Sequence, residues 1–412
     1  MLVSPECRCL TFGPPLVSNY KYLLIDLNIH DFREQESFFV YKIISFQALF
    51  NRSLPRTYET MPSAVAVATR APTPAANKYV VVGPTNKRYT PATKKLPESL
   101  VLSARNVEKQ EFDPARHLNI IPPKKILRMA DIGLEGVGIS DTAVSEPFSL
   151  WTEDAIKQMR AEIFSEAMLE NCQVSSSFAS NMVRGYNAKL APFIHRAFYS
   201  PELLGAVSAI AGIDLVPAFD YEVGHCNISF NEKKPSQAEL EKMGEDGDSE
   251  AFAWHRDSFP FVCVTMLSDC RDMIGGETVI RTGDGSTIKT RGPTMGTAVV
   301  MQGRYIEHMA LKSFGGGERI SIITPFRPKS PFARDDTVLT TVRSISRQDA
   351  LFHDYAEYRM RNLKARVDRQ LELIQKDRHH GGCFDVEGAR AWLSEQQEYI
   401  ESMLTEIFDY EN

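Results

Sequence analysis

Between Val216 and Phe326 the chain loses helical spacing and breaks into short apolar or alternating runs, at 219–230, 252–267, 277–281, 297–302, 306–313 and 319–326. Gly, Pro, Asn and Asp separate them. That texture predicts an antiparallel β-structure closed on itself, a sandwich or barrel. On either side the 3.6-residue period returns. Behind Thr152-Glu153-Asp154, a cap with acids in the first turn, Ile156, Met159, Ile163, Ala167 and Met168 recur at helical spacing. Ala191 to Gly212 repeats the pattern, with Ser200 as N-cap, Pro201 at the first helical position and Gly212 as the stop. Past Pro328 a helix of about 30 residues is expected from Ser346 to Arg378, then a Gly381-Gly382 break and a second helix from Val386 to about Phe408. The charged residues Arg359, Arg361, Lys364, Arg366, Arg369, Glu395, Glu398 and Glu401 are expected to face solvent, with a homodimer through these two helices as the alternative. The fold class is α+β, a β core flanked by N-terminal helices and a C-terminal helical hairpin.

The chain divides accordingly. Residues 1–60 are aromatic-rich without clear periodicity and read as an extension ahead of a physiological start at Met61. Residues 61–110, with Pro72, Pro74, Pro84, Pro91 and Pro97 and few branched apolar side chains, are expected to be a flexible lead-in. Residues 111–330 form the main domain and 331–412 the hairpin. With 47 Lys and Arg against 53 Asp and Glu, the net charge of −6 does not advertise the basic face that nucleic acid or an anionic membrane requires. A small-molecule substrate is the better expectation. The seven cysteines are odd in number and lack paired spacing, so neither a disulfide framework nor a zinc site is suggested. No run approaches the ~18 apolar residues of a membrane span, no secretory leader is apparent, and a reducing, cytoplasmic setting is expected.

The segment that carries chemistry is Phe252-Ala-Trp-His255-Arg-Asp257. In an extended chain His255 and Asp257, at i and i+2, point to one face, so an imidazole and a carboxylate can meet one cation. Nine histidines and 53 acids in 412 residues supply about one such triplet by chance, so it means little alone. His308 follows 53 residues later in another run that reads as a strand, Arg304 to Leu311. Two histidines and one carboxylate on facing strands make a facial triad, which leaves open positions on Fe(II) for a chelating cosubstrate and oxygen. Eleven residues beyond His308, across Gly315-Gly316-Gly317, stand Arg319 and Ser321. On one face of a strand a guanidinium fork and a hydroxyl can hold a terminal carboxylate, a geometry that Lys could not reproduce.

In these five residues and their spacing the chain resembles the Fe(II)/2-oxoglutarate-dependent dioxygenases, over about residues 216–328. The resemblance implies a double-stranded β-helix (jelly roll), iron on His255, Asp257 and His308, the C5 carboxylate of 2-oxoglutarate on Arg319 and Ser321, and O2 as the second cosubstrate. Gly275-Gly276-Glu277-Thr278 looks like the mid-barrel turn of many members. The segments IAGIDLVPAFDYEVGHCNIS and WHRDSFPFVCVTMLSD are similar to filamentous-fungal oxygenases of secondary metabolism, among them an amino-acid oxidase that makes an aziridine. The implied activity is oxidation of an unactivated C–H bond by hydroxylation, desaturation or ring closure. An oxygenase that dispenses with 2-oxoglutarate, a protein hydroxylase of the same fold, and a non-catalytic jelly-roll binding protein stay open.

For the substrate, alternation along a strand from Phe219 to Phe230 puts Tyr221, His225, Asn227 and Ser229 on one face, and a jelly-roll strand in this place commonly lines the cavity. Tyr221, His225 and Asn227 are therefore candidate substrate residues. Arg327, just past the last strand, is a candidate partner for a substrate carboxylate, such as that of an amino acid.

Overall fold

The computed structural model describes residues 90–408 apart from 93–94, 176–180, 232–249, 272, 291, 293 and 312. The expectations for residues 1–60 and for residues 61–89 of the lead-in fall outside these residues. Eight strands build the core: β1 (His225–Asn231), β2 (Glu250–His255), β3 (Phe261–Met266), β4 (Thr278–Arg281), β5 (Thr287–Thr290), β6 (Thr297–Met301), β7 (His308–Leu311) and β8 (Gly317–Pro328). One sheet runs in the order β1-β8-β3-β6 and the other in the order β2-β7-β4-β5, with every pairing antiparallel. The chain thus passes from sheet to sheet as it proceeds, which is the double-stranded β-helix. The first sheet is widened beyond β1 by Asn181–Val183 and Gln173–Ser175, and beyond β6 by Thr142–Ser145 and Ile126–Arg128.

Alternation along the strands decides what each face meets. Val262, Val299 and Met301 of the first sheet pack with Ile280 of the second, so these residues fill the space between the sheets. The other face of the first sheet, with Cys226, Ile228, Cys263, Val300, Ile320, Ile322 and Phe326, packs under the helices. The helices that cover it are α1 (Glu98–Arg105), α2 (Glu153–Ile163), α3 (Glu166–Cys172), α4 (Pro192–Phe198) and α5 (Pro201–Ala211). Their caps are those expected. Thr152 Oγ1 accepts from the Ala155 N–H at 3.3 Å, Ser200 Oγ accepts from Leu203 N–H at 3.4 Å, and Gly212 closes α5 at φ 72°.

α1 lies inside the stretch expected to be a flexible lead-in, and it corrects that expectation for its own residues. Leu100 and Ala104 are buried in the main core, so eight residues there have an apolar stripe that offsets ordering entropy.

The hairpin helices are α6 (Gln348–His379) and α7 (Val386–Glu406). Leu351, Tyr355, Tyr358, Tyr399 and Met403 pack on Phe219, Tyr221 and Phe259 at one end of the barrel. Two of the charges expected in solvent are inside. Arg359 is buried with its guanidinium 3.5 Å from the Tyr399 ring centroid and its Nη1 donating to the Asp335 carbonyl at 3.1 Å. Arg366 is buried too, with Nε donating to the Pro331 carbonyl at 2.7 Å. The reason is that the chain between β8 and α6 folds back over this face and presents unpaired carbonyls. Arg361, Lys364 and Arg369 do face solvent, paired along α6 with Glu357, Asp368 and Glu372. No helix among the described residues is long and apolar enough to cross a membrane.

Candidate active site

β2 and β7 are neighbours in the second sheet, and their register sets His255 directly opposite His308. The two rings are 4.4 Å apart between centroids. His308 is also opposite Ile280 of β4, which faces the space between the sheets, so both imidazoles look inward. Asp257 lies two residues past the end of β2, where no ladder orients it. Its backbone N–H instead donates to the Gly303 carbonyl at 3.0 Å. With that bond in place Asp257 Oδ1 stands 3.6 Å from His255 Nε2 and 3.7 Å from His308 Nε2. The three ligand atoms all lie within 4.8 Å of one another, the one such group of His, Cys, Asp and Glu among the described residues.

The chemistry of this donor set suits a divalent transition metal. His308 Nδ1–H donates to the Ile306 carbonyl at 3.0 Å, which leaves the Nε2 lone pair for a metal. Burial lowers the His308 pKa, despite the Asp257 charge, and favours the neutral ligand form. Burial opposes the Asp257 charge, but the imidazoles of His308 and His255 hold its carboxyl below the usual value. Two imidazoles and one carboxylate on one side of a point match the facial arrangement that leaves further positions open.

Gly303 is a part of the site that the spacing of the motif did not disclose. A Cβ at this position would stand 1.9 Å from Asp257 Oδ2, so only glycine lets the carboxylate lie where it does. On the outer side, the Arg281 guanidinium sits 4.2 Å from the Trp254 ring centroid and donates to Glu307 at 3.0 Å. These contacts tie β2, β4 and β7 together beside the triad.

On the first sheet, β8 sets Arg319 opposite Ser229, Ser321 opposite Asn227 and Ile323 opposite His225 of β1. Ile323 packs into the layer between the sheets, so by alternation Arg319, Ser321, His225, Asn227 and Ser229 share that inner face. Arg319 Nε is buried without a hydrogen-bond partner, and an ideal Cβ on Gly276 would come within 3.6 Å of it. The turn of residues 275–276 thus passes directly beside the guanidinium. A buried N–H without an acceptor is the state expected of a site built for an anion.

The candidate substrate residues separate. His225 and Asn227 lie on the inner face and are only half-buried. Burial, reinforced by the Arg184 charge, lowers the His225 pKa to about 3, so it stands there as a neutral ring. Tyr221 is not on the strand. Asp220–Glu222 is a 3-10 turn, which breaks the alternation, and the Tyr221 ring packs among the hairpin residues with its hydroxyl accepting from the Arg347 N–H at 2.7 Å. Arg327 is spent on the fold: Nε donates to the Ala218 carbonyl at 3.0 Å, Nη1 to the Pro328 carbonyl at 3.2 Å, and the guanidinium lies 4.7 Å from the Tyr358 ring centroid.

Fold and site together define a class, a jelly-roll protein with an inward-facing two-histidine, one-carboxylate centre. No protein-family model matches the chain, and no curated protein matches it significantly. Solved structures do match. The chain is similar to an oxidoreductase of the 2OG-Fe(II) oxygenase family from Burkholderia pseudomallei, at 12% identity over 38% of this chain and 71% of that one, TM-score 0.28. It is similar to a prolyl-4-hydroxylase from Pseudomonas putida, at 19% identity over 51% and 98%, TM-score 0.27. It is similar also to a non-heme alpha-ketoglutarate-dependent epimerase from nogalamycin biosynthesis, at 16% identity over 57% and 85%, TM-score 0.29. With scores of this size, the fold assignment rests on the strand order and pairing themselves.

Proposed function

We propose that this protein is a non-haem Fe(II)- and 2-oxoglutarate-dependent oxygenase that oxidises an unactivated C–H bond of a small molecule. The observation that carries the reading is the shared inner space: His255, Asp257 and His308 converge from one sheet, and Arg319 and Ser321 face the same layer from the other. His255, Asp257 and His308 would hold the iron. Arg319 and Ser321 would hold the distal carboxylate of 2-oxoglutarate, a guanidinium and a hydroxyl against two oxygens. When bound, Fe(II) with 2-oxoglutarate and O2 supplies the oxidant for the C–H bond. The protein's own share is geometric. The Ile306 carbonyl fixes the His308 ring and the Gly303 carbonyl fixes the Asp257 backbone.

A small carboxylic acid, an amino acid among them, is the substrate class that fits the inner face. A role in fungal secondary metabolism rests on the resemblance of residues 210–229 and 254–269 alone. A homodimer through α6 and α7 would cover Met360, Leu371, Leu393 and Leu404, which are exposed, and sedimentation would detect it.

The test is to purify the protein without oxygen, add Fe(II) and 2-oxoglutarate, and look for the weak visible charge-transfer band and for succinate once oxygen is admitted. The band and succinate are expected in the wild type and absent in His308→Ala. Neither signal in the wild type, or equal signals in both proteins, would defeat the reading.

A further inference from the structure

Arg184 and Glu222 form a buried ion pair that neither the motif nor the proposed iron centre uses. Their side chains are 0% and 1% exposed, and Arg184 Nη2 donates to Glu222 Oε1. Burying two charges is expensive unless every remaining donor is satisfied. Here two are not: Arg184 Nε and Nη1 have no hydrogen-bond partner.

The register says where this guanidinium lies. In the strand Asn181–Val183, Met182 is opposite Asn227 of β1 and Val183 opposite Cys226. On its other side the strand runs on by one residue, since the Arg184 backbone N–H donates to the carbonyl of Cys172, which precedes the Gln173–Ser175 strand, at 3.1 Å. Cys226 and Val183 pack under the helices. By alternation Arg184 therefore shares the inner face with His225 and Asn227, the face of Arg319 and Ser321. Asn227 has an unpartnered buried atom as well, the acceptor Oδ1. So one stretch of the inner wall presents unused donors on a cation and an unused acceptor on an amide. His225, partly exposed between them, carries no charge there.

We infer that Arg184, held by Glu222, is the anchor for the carboxylate of the substrate, and that Asn227 accepts from an N–H or O–H of the same molecule. The ligand class is a small carboxylic acid with a neighbouring donor, an α-amino or α-hydroxy acid. It would enter past His225 and Asn227 and give Arg184 the acceptor it lacks. Glu222 keeps the guanidinium in place and balances its charge when the site is empty of ligand. This deepens the oxygenase reading and rests on it.

The experiment uses the full chain with Fe(II) and 2-oxoglutarate under argon and reads the charge-transfer band while probes are added. The probes are the twenty α-amino acids and a set of α-hydroxy acids of two to six carbons, each beside its primary amide. At least one acid is expected to shift the band and to stimulate succinate formation in air, with its amide inert. Arg184→Gln should raise the concentration of that acid needed by about 10- to 100-fold, the value of a charge-assisted hydrogen bond, while the 2-oxoglutarate titration stays in place. Because Arg184→Gln leaves Glu222 alone in the core, Arg184→Gln/Glu222→Gln is run beside it, a pair that removes both charges together. The proposal falls if no acid shifts the wild-type band, if amides act as well as acids, or if the double variant responds like wild type. Loss of the band in the wild type before any probe is added would instead overturn the oxygenase reading beneath it.

Discussion

Gly303 and Asp257 are in closest possible contact: the Gly303 carbonyl accepts the Asp257 backbone N–H at 3.0 Å, and a methyl group on Gly303 would overlap Asp257 Oδ2 at 1.9 Å. The carboxylate that lies beyond the end of its strand is thus placed by a residue 46 positions away in the sequence. Gly303→Ala should push Asp257 out of line with His255 and His308 and weaken Fe(II) binding by about 10- to 100-fold, as loss of a supporting group does at metal sites. A metal titration monitored by the charge-transfer band would check this. Wild-type affinity in Gly303→Ala would mean that Asp257 is not held as described.

Arg319 offers a second test, on the opposite sheet. With its Nε buried and unpartnered, Arg319 is poised for an anion. Arg319→Ala should raise the 2-oxoglutarate concentration for half-maximal succinate formation by about 10- to 100-fold. Arg319→Lys should recover only part of it, since an ammonium supplies charge without the fork. An unchanged requirement in Arg319→Ala would refute the assignment.

Glu162 predicts a dependence of stability on pH away from the site. Its carboxyl, on α2, accepts from the N–H groups of Phe193 at 2.8 Å and Ile194 at 3.0 Å at the start of α4. Burial raises its pKa from 4.5 to about 7, the two amides opposing. The folded state thus favours the protonated acid. The associated stability is full below pH 4.5 and is lost as pH rises through 7, to a total of about 3 kcal/mol. Glu162→Gln does not titrate, so urea midpoints should show the variant gaining on the wild type between pH 5 and pH 8. The same difference at both values would sink the argument.

The hairpin is pinned by a buried pair, Arg343 with Glu406, and Glu406 also accepts the Leu339 N–H at 2.7 Å. Arg343→Met leaves Glu406 charged and uncompensated and should cost about 3–5 kcal/mol, whereas Arg343→Met/Glu406→Leu should recover most of the loss. Thermal denaturation of the two variants distinguishes this from a simple packing defect, in which the double variant would be the worse.

What could be read from the chain alone was whatever a strand or helix encodes locally. The i, i+2 spacing of His255 with Asp257 and of Arg319 with Ser321 puts each pair on one face because strand geometry has a period of two. Thr152, Ser200 and Gly212 mark helix ends because capping is satisfied within four residues. The same rule misled at Tyr221, where a 3-10 turn shifts the phase, and at Arg359 and Arg366, whose carbonyl partners come from a segment that folds back over α6.

Tertiary structure alone decided the rest: that Gly303 must have no side chain, that Arg327 is occupied by the Ala218 and Pro328 carbonyls, and that Arg184 and Glu222 meet as a buried pair. Each is a contact between segments whose distance in the sequence carries no period. Pattern can say which way a side chain faces, but only the packed sheets say what it finds there.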